Sequence, residues 1–226
     1  MTQQDTASKK HSKAWWWAAT IPALAVMVAA SSSVLVHGYR PLSVHSIAQA
    51  GKQEPVEFSF DYQVDKDAVE RSATVELDIL EKAERSEFSS AYADKNLMDP
   101  PELPGDTELY KASVVWHADP ENPLEGCEVG LRNAEGIEQP VRLVVSPQDA
   151  PVDFPAAFPN LCEPEGAEGP MAINPFELDA NILPEPSKRP EKWEMTYYFV
   201  TTVGFEPTEL FITWGAPHEV RLGTGS

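Results

Sequence analysis

The chain has 226 residues, of which 36 are acidic and 17 basic, for a net charge of −19. At 42% hydrophobic and 23% charged it is too apolar to be disordered throughout. The acidity excludes a nucleic-acid binder, which needs cations against phosphate, and works against docking on anionic lipid heads.

Residues 1–13 are a short basic tail in which Lys9, Lys10 and Lys13 outweigh Asp5. Residues 14–37 carry no charge. A helix crossing about 30 Å of hydrocarbon needs roughly 20 such residues, so this stretch reads as a transmembrane helix, an uncleaved signal anchor. Trp15, Trp16 and Trp17 serve as its membrane anchor, because indole rings settle at the headgroup boundary. Pro22 falls in the first two turns, where a missing amide does least damage. Ser31, Ser32 and Ser33 are small enough to face another helix. Three lysines precede the span and only Arg40 and Lys52 closely follow it, which puts the amino terminus in the cytoplasm and the carboxyl-terminal domain outside the plasma membrane. A cleaved signal peptide is the alternative, with cleavage-like spacing at Val28-Ala29-Ala30 and at Ala48-Gln49-Ala50. Either way the remainder is exported. Residues 38–53 read as a linker.

Residues 54–226 form the extracytoplasmic domain. Only Asp5 among the acids and Lys9, Lys10, Lys13 and Arg40 among the bases precede Gly51, so the chain from Gly51 onward holds 35 acidic and 13 basic residues and carries −22. Such acidity suits solubility and admits a cationic ligand or calcium, but no EF-hand spacing is present. Val56, Phe58, Phe60, Tyr62 and Val64 alternate with polar residues, a strand with one wet face. Val75, Leu77 and Ile79 alternate likewise. A helix competes there, with Asp67 and Glu70 as a capping box and Val69, Ala73, Leu77 and Leu80 on one face. Residues 109–117 are rich in β-branched and aromatic side chains, and Asp-Pro-Glu-Asn-Pro at 119–123 ends that run. Cys127, Val129 and Leu131 alternate next. Residues 133–136 form a turn, and 141–145 pair back as a hairpin.

Residues 146–190 break the pattern. Ten prolines interrupt any ladder, while Phe154, Phe158, Leu161, Phe176 and Leu178 imply an excursion that packs. Alternation resumes at Trp193, Met195, Tyr197, Phe199 and Thr201, then at Leu210, Ile212 and Trp214, and ends with Val220 and Leu222. Seven or eight short strands predict an antiparallel, immunoglobulin-like β-sandwich behind one amino-terminal membrane helix. Two cysteines in an exported chain, Cys127 and Cys162, predict one disulfide. It closes a loop of about 36 residues and is worth on the order of 4 kcal/mol in the chain-entropy model.

No nucleophile elbow, zinc-helix, phosphate-loop or dinucleotide motif is present, so no catalytic, cofactor-binding or metal residue is assigned and no enzyme is expected. His117 beside Asp119 and His218 beside Glu219 are the two histidine–acid pairs of the domain, at spacing that selects no metal. Trp116, Trp193 and Trp214 sit at strand positions typical of a core. Trp116 precedes Cys127, so the cysteines do not follow the immunoglobulin scheme.

Gly126-Cys127-Glu128-Val129-Gly130-Leu131, Pro159-Asn160-Leu161-Cys162, Trp193 and Glu206-Pro207-Thr208-Glu209-Leu210-Phe211-Ile212-Thr213-Trp214, in this layout, resemble uncharacterised actinobacterial single-pass envelope proteins. The carboxyl half is similar to immunoglobulin-like exported domains of Gram-positive bacteria. The resemblance implies topology and a disulfide, and no activity. Two functions are expected from the layout. The first is a non-enzymatic accessory subunit of a larger integral membrane complex, respiratory or transport, held in the bilayer by its one helix. The alternative is an autonomous anchored module binding an envelope glycan, peptide or cation.

Overall fold

The computed structural model describes residues 45–64, 67–95, 102–145, 160–167, 169–170, 189–215 and 217–225. The apolar stretch 14–37, with Trp15, Trp16 and Trp17, lies outside them, as do Phe154, Phe158, Phe176 and Leu178. Among the described residues no helix is long and apolar enough to cross a membrane.

The fold is mainly β, with nine strands in one sheet. They are β1 (His45–Ala50), β2 (Val56–Val64), β3 (Asp67–Lys82), β4 (Thr107–His117), β5 (Glu128–Asn133), β6 (Glu138–Val145), β7 (Lys192–Thr202), β8 (Pro207–Thr213) and β9 (His218–Gly223). Their order is β1-β9-β8-β5-β6-β7-β4-β3-β2. The β1–β9 pair is parallel and the other pairs are antiparallel. The end strands β1 and β2 lie near each other, so the sheet curls almost into a barrel around one core.

Period-two alternation explains the inward faces. Tyr110, Ala112, Val114 and Trp116 of β4 meet Trp193, Met195, Tyr197 and Phe199 of β7. Leu210, Ile212, Val220 and Leu222 close the opposite wall. Phe58 and Phe60 of β2 reach across to Trp214, with ring centroids 5.0 and 5.3 Å apart. Burying each such ring contributes roughly 1.5–3 kcal/mol.

Residues 67–80 are strand, as the alternation of Val75, Leu77 and Ile79 indicates, and the competing helix does not form. Three details differ from the sequence reading, with local causes. A bulge between Leu77 and Ile79 flips the phase. Leu80 therefore packs on the core while Ile79 is 39% exposed. His45–Ala50, within the stretch read as linker, forms β1. The hairpin through Asn133 is present, but β6 pairs with β5 only over Glu138, Gln139 and Pro140; from Val141 onward it pairs with β7. Asn133 Oδ1 accepts the Ile137 amide at 2.8 Å, and Gly136 takes a φ of 80° that only glycine adopts cheaply.

Among the described residues one helix, α1 (Arg85–Lys95), covers the outer face of β4, β6 and β7. Its fully buried Phe88 lies among Leu109, Leu143 and Tyr198, and Glu87 receives Lys111 Nζ at 2.6 Å.

Both described parts of the proline-rich excursion, around Cys162 and at Arg189, are pinned to the core. Cys127 and Cys162 are bonded, with Cα atoms 6.2 Å apart. Trp193 Nε1 donates to Cys162 O at 3.1 Å and the Tyr197 hydroxyl donates to Leu161 O at 2.6 Å. Arg189 and Glu163, 2% and 1% exposed, form a buried ion pair. Arg189 also donates to the carbonyls of Asp119, at 2.6 Å, and Asn122, and stands 5.0 Å from the Trp193 ring centroid. Glu163 accepts from Asn160 Nδ2 and from the Leu124 amide. Burial pushes the Glu163 carboxyl up and the Arg189 guanidinium down, each against the pull of the other's charge.

Removing one member of such a pair strands the other, at about 3–5 kcal/mol. Glu163→Gln is therefore expected to lower the urea midpoint strongly, and Glu163→Leu with Arg189→Met to lower it less. A double variant as unstable as the single one would assign the effect to packing rather than charge. For the disulfide, intact mass is expected to rise by two hydrogens only on reduction. Replacing both cysteines by serine is expected to cost up to about 4 kcal/mol. Two thiols alkylated without reductant would refute the bond.

Candidate functional site

The outward face of β5, β6, β8 and β9 is ordered by register into three cross-strand rows. Glu128, Thr213 and Glu219 form one row, Pro140, Gly130, Phe211 and Arg221 the next, and Glu138, Arg132 and Glu209 the third. Phe211 points outward yet is only 7% exposed. Gly130 opposite leaves the ring its space, since a Cβ there would fall within contact radius of the ring. The Arg132 guanidinium covers the ring from above, 4.7 Å from its centroid.

Arg132 is held by three carboxylates. It donates to Glu138 at 2.8 and 3.0 Å, to Glu219 at 2.7 and 3.1 Å, and to Glu209 at 2.5 Å. Glu219 also accepts from Arg221 Nε at 2.6 Å. These carboxylates hold Arg132 above its ordinary range, Glu219 foremost. Burial pushes the Glu219 carboxyl up, but Arg132 and Arg221 outweigh it and keep the group below its usual value.

Where β6 leaves β5 after Pro140, the two strands part and a groove of about 750 Å³ opens. Val129, Pro140, Val141 and Leu161 give it apolar walls, and Glu128 and Thr213 stand at one end. The Arg132–Glu219–Arg221 network forms the other wall. The size lies within the roughly 300–1,000 Å³ typical of binding clefts. Chemically the arrangement suits recognition, with apolar contact flanked by fixed charges.

Other residues singled out in the sequence go elsewhere. The disulfide cysteines sit beside the groove, since Cys127 precedes Glu128 and Cys162 follows Leu161. Trp116 and Trp193 stack at 5.9 Å inside the core, and Trp214 Nε1 donates to Leu124 O. His117 is exposed at the end of β4, whereas His218 stacks on Phe60 at 4.4 Å, and Glu219 is taken by the arginines. Among the described residues no group of three or more His, Cys, Asp or Glu is placed to hold a metal ion.

The sequence reading did not name Arg132 or Arg221, took Glu219 only as the neighbour of His218, and took Gly130 and Phe211 only as parts of the resembling motifs. A usable signal was the scarcity of cations: an arginine inside a strand of so acidic a chain must be flanked by several carboxylates, wherever the register brings them. Comparison with protein-family models, curated proteins and solved structures finds no match for this chain.

The depressed Glu219 carboxyl has a consequence for acid stability. A carboxyl whose folded value lies below its unfolded value of about 4.5 contributes stability that is fully present above that value. The contribution disappears as pH falls through the lower, folded value. The urea midpoint is expected to fall below about pH 4.5, and Glu219→Gln to flatten that acid limb. Parallel limbs in the two proteins would show that Glu219 does not carry it.

Proposed function

We propose that this chain is a non-enzymatic, membrane-anchored extracytoplasmic protein that serves as an accessory subunit of a larger membrane complex, with its β-domain contacting the partner through the β5–β6 groove. The observation that carries the reading is the groove itself. One side of it is apolar, and the two arginines on the other side are already held by carboxylates. A partner can therefore bury apolar surface there without leaving a bare arginine behind.

The anchor rests on the sequence, through the uncharged stretch 14–37 and the tryptophans that open it. Export follows from that anchor and agrees with the disulfide. The immunoglobulin-like assignment is the finer reading of the β-domain. It is supported by the fold-over at β6, which sets two packed walls face to face, and by the two late strands β8 and β9.

One observation favours the second reading, an autonomous binding module. Arg132, Glu219 and Phe211 hold one another in place without a partner, so the groove is preformed.

Affinity purification of the tagged full-length protein in mild detergent, followed by mass spectrometry, separates the two. A defined membrane complex recovered in fixed stoichiometry is the expected result. Recovery of the protein alone, at several detergent strengths and after crosslinking, would overturn the accessory reading. Thermal stabilisation by an envelope glycan or peptide would then establish the module.

A further inference from the structure

Building on the reading of the groove as a docking surface, we propose that its occupant is an extended, cationic, amphipathic peptide segment, in which lysine or arginine alternates with apolar side chains of leucine or phenylalanine size.

Charge complementarity sets the cationic requirement. Four carboxylates, Glu128, Glu138, Glu209 and Glu219, share this face with two arginines, Arg132 and Arg221. Both arginines are bonded to carboxylates, and an incoming anion would have to compete with Glu219 and Glu138 for them. Glu128 and Glu138 are exposed at the rim, where an incoming ammonium or guanidinium can reach them. The field of the whole exported part, −22 from Gly51 onward, draws the same class of partner from a distance.

Shape sets the extended and amphipathic requirements. The groove is a split between two strands that part after three residue pairs, a site that accepts backbone in strand conformation. An extended segment turns successive side chains to opposite sides. Apolar side chains then meet Pro140, Val141 and Leu161 while the cationic ones reach the rim.

The test uses full-length protein in mild detergent and three fluorescein-labelled peptides: Lys-Leu-Lys-Phe-Lys-Leu-Lys, its glutamate counterpart, and a lysine heptamer. Fluorescence anisotropy is expected to show saturable binding of the first and none of the second. The third should bind at least roughly tenfold more weakly, the worth of about 1.4 kcal/mol of apolar contact. Glu128→Lys with Glu138→Lys is expected to weaken the first peptide by a similar factor. Glu57→Lys with Glu81→Lys makes the same charge change on exposed positions of β2 and β3 and is expected to leave binding nearly intact.

Equal loss in both variants would reduce the effect to bulk acidity and overturn the proposal, as would equal binding of the lysine heptamer. Because Glu138 also supports Arg132, a benzoylphenylalanine placed at the peptide's phenylalanine gives an independent reading in the unaltered protein. Adducts at Pro140, Val141 or Leu161 support the site, and adducts only elsewhere overturn it. Peptide binding in the groove with no co-purifying complex would sustain this site and overturn the accessory reading. A complex that survives the groove variant, with no peptide binding, would do the reverse.

Discussion

Pro140 marks the point on which the architecture turns. It lies opposite Gly130 at the last residue pair that β6 makes with β5, and it has no amide hydrogen with which to extend a ladder. From Val141 onward β6 belongs to β7, and the irregularity between Val141 and Leu143 absorbs the change of direction. That exchange of partners joins β7, β4, β3 and β2 to β5, β8, β9 and β1 as one sheet and brings both halves onto one core. The same exchange opens the groove. Had β6 stayed with β5, ladder hydrogen bonds would fill the space that Val129, Val141 and Leu161 now line.

A curled sheet of this kind needs something to hold its corner, and here that is polar as well as covalent. Arg189 gathers the carbonyls of Asp119 and Asn122 and the carboxylate of Glu163, so the loop after β4 and both described parts of the excursion meet at one guanidinium. The disulfide ties the same excursion to the residue just ahead of β5. Burial makes the ion pair a weak source of net stability, but it fixes one arrangement, because any other leaves a bare charge inside the protein. Glycine at position 169 fits this account, since a side chain there would press on both charged groups.

Much of the β pattern was legible because alternation is local. The strands at 56–64, 109–117 and 193–201 announce themselves in their own residues, and so does the Asn133 turn. What escaped depends on distant residues. β1 has a single large apolar side chain, Ile47, and its parallel partner β9 stands at the far end of the chain. Helix α1 has one large aliphatic or aromatic anchor, Phe88, backed by Tyr92, too little periodicity to read. The β6–β7 pairing joins residues some fifty positions apart. The site shares this difficulty: Arg132, Glu209 and Glu219 become neighbours only once the register of three strands is known. The disulfide was legible because two cysteines allow one pairing.

The parallel β1–β9 pairing also has a mechanical side. Any pull transmitted through the residues ahead of His45 enters the domain at β1. Along the strand axis such a pull loads the hydrogen bonds between His45–Ala50 and β9 together, in shear, instead of opening them one at a time. Resistance to that load is a matter of rate, set by how quickly the strand slips. A tether at this end would therefore grip the domain by one of its firmer handles, and slippage of β1 would expose β9, the strand that carries Glu219 and Arg221.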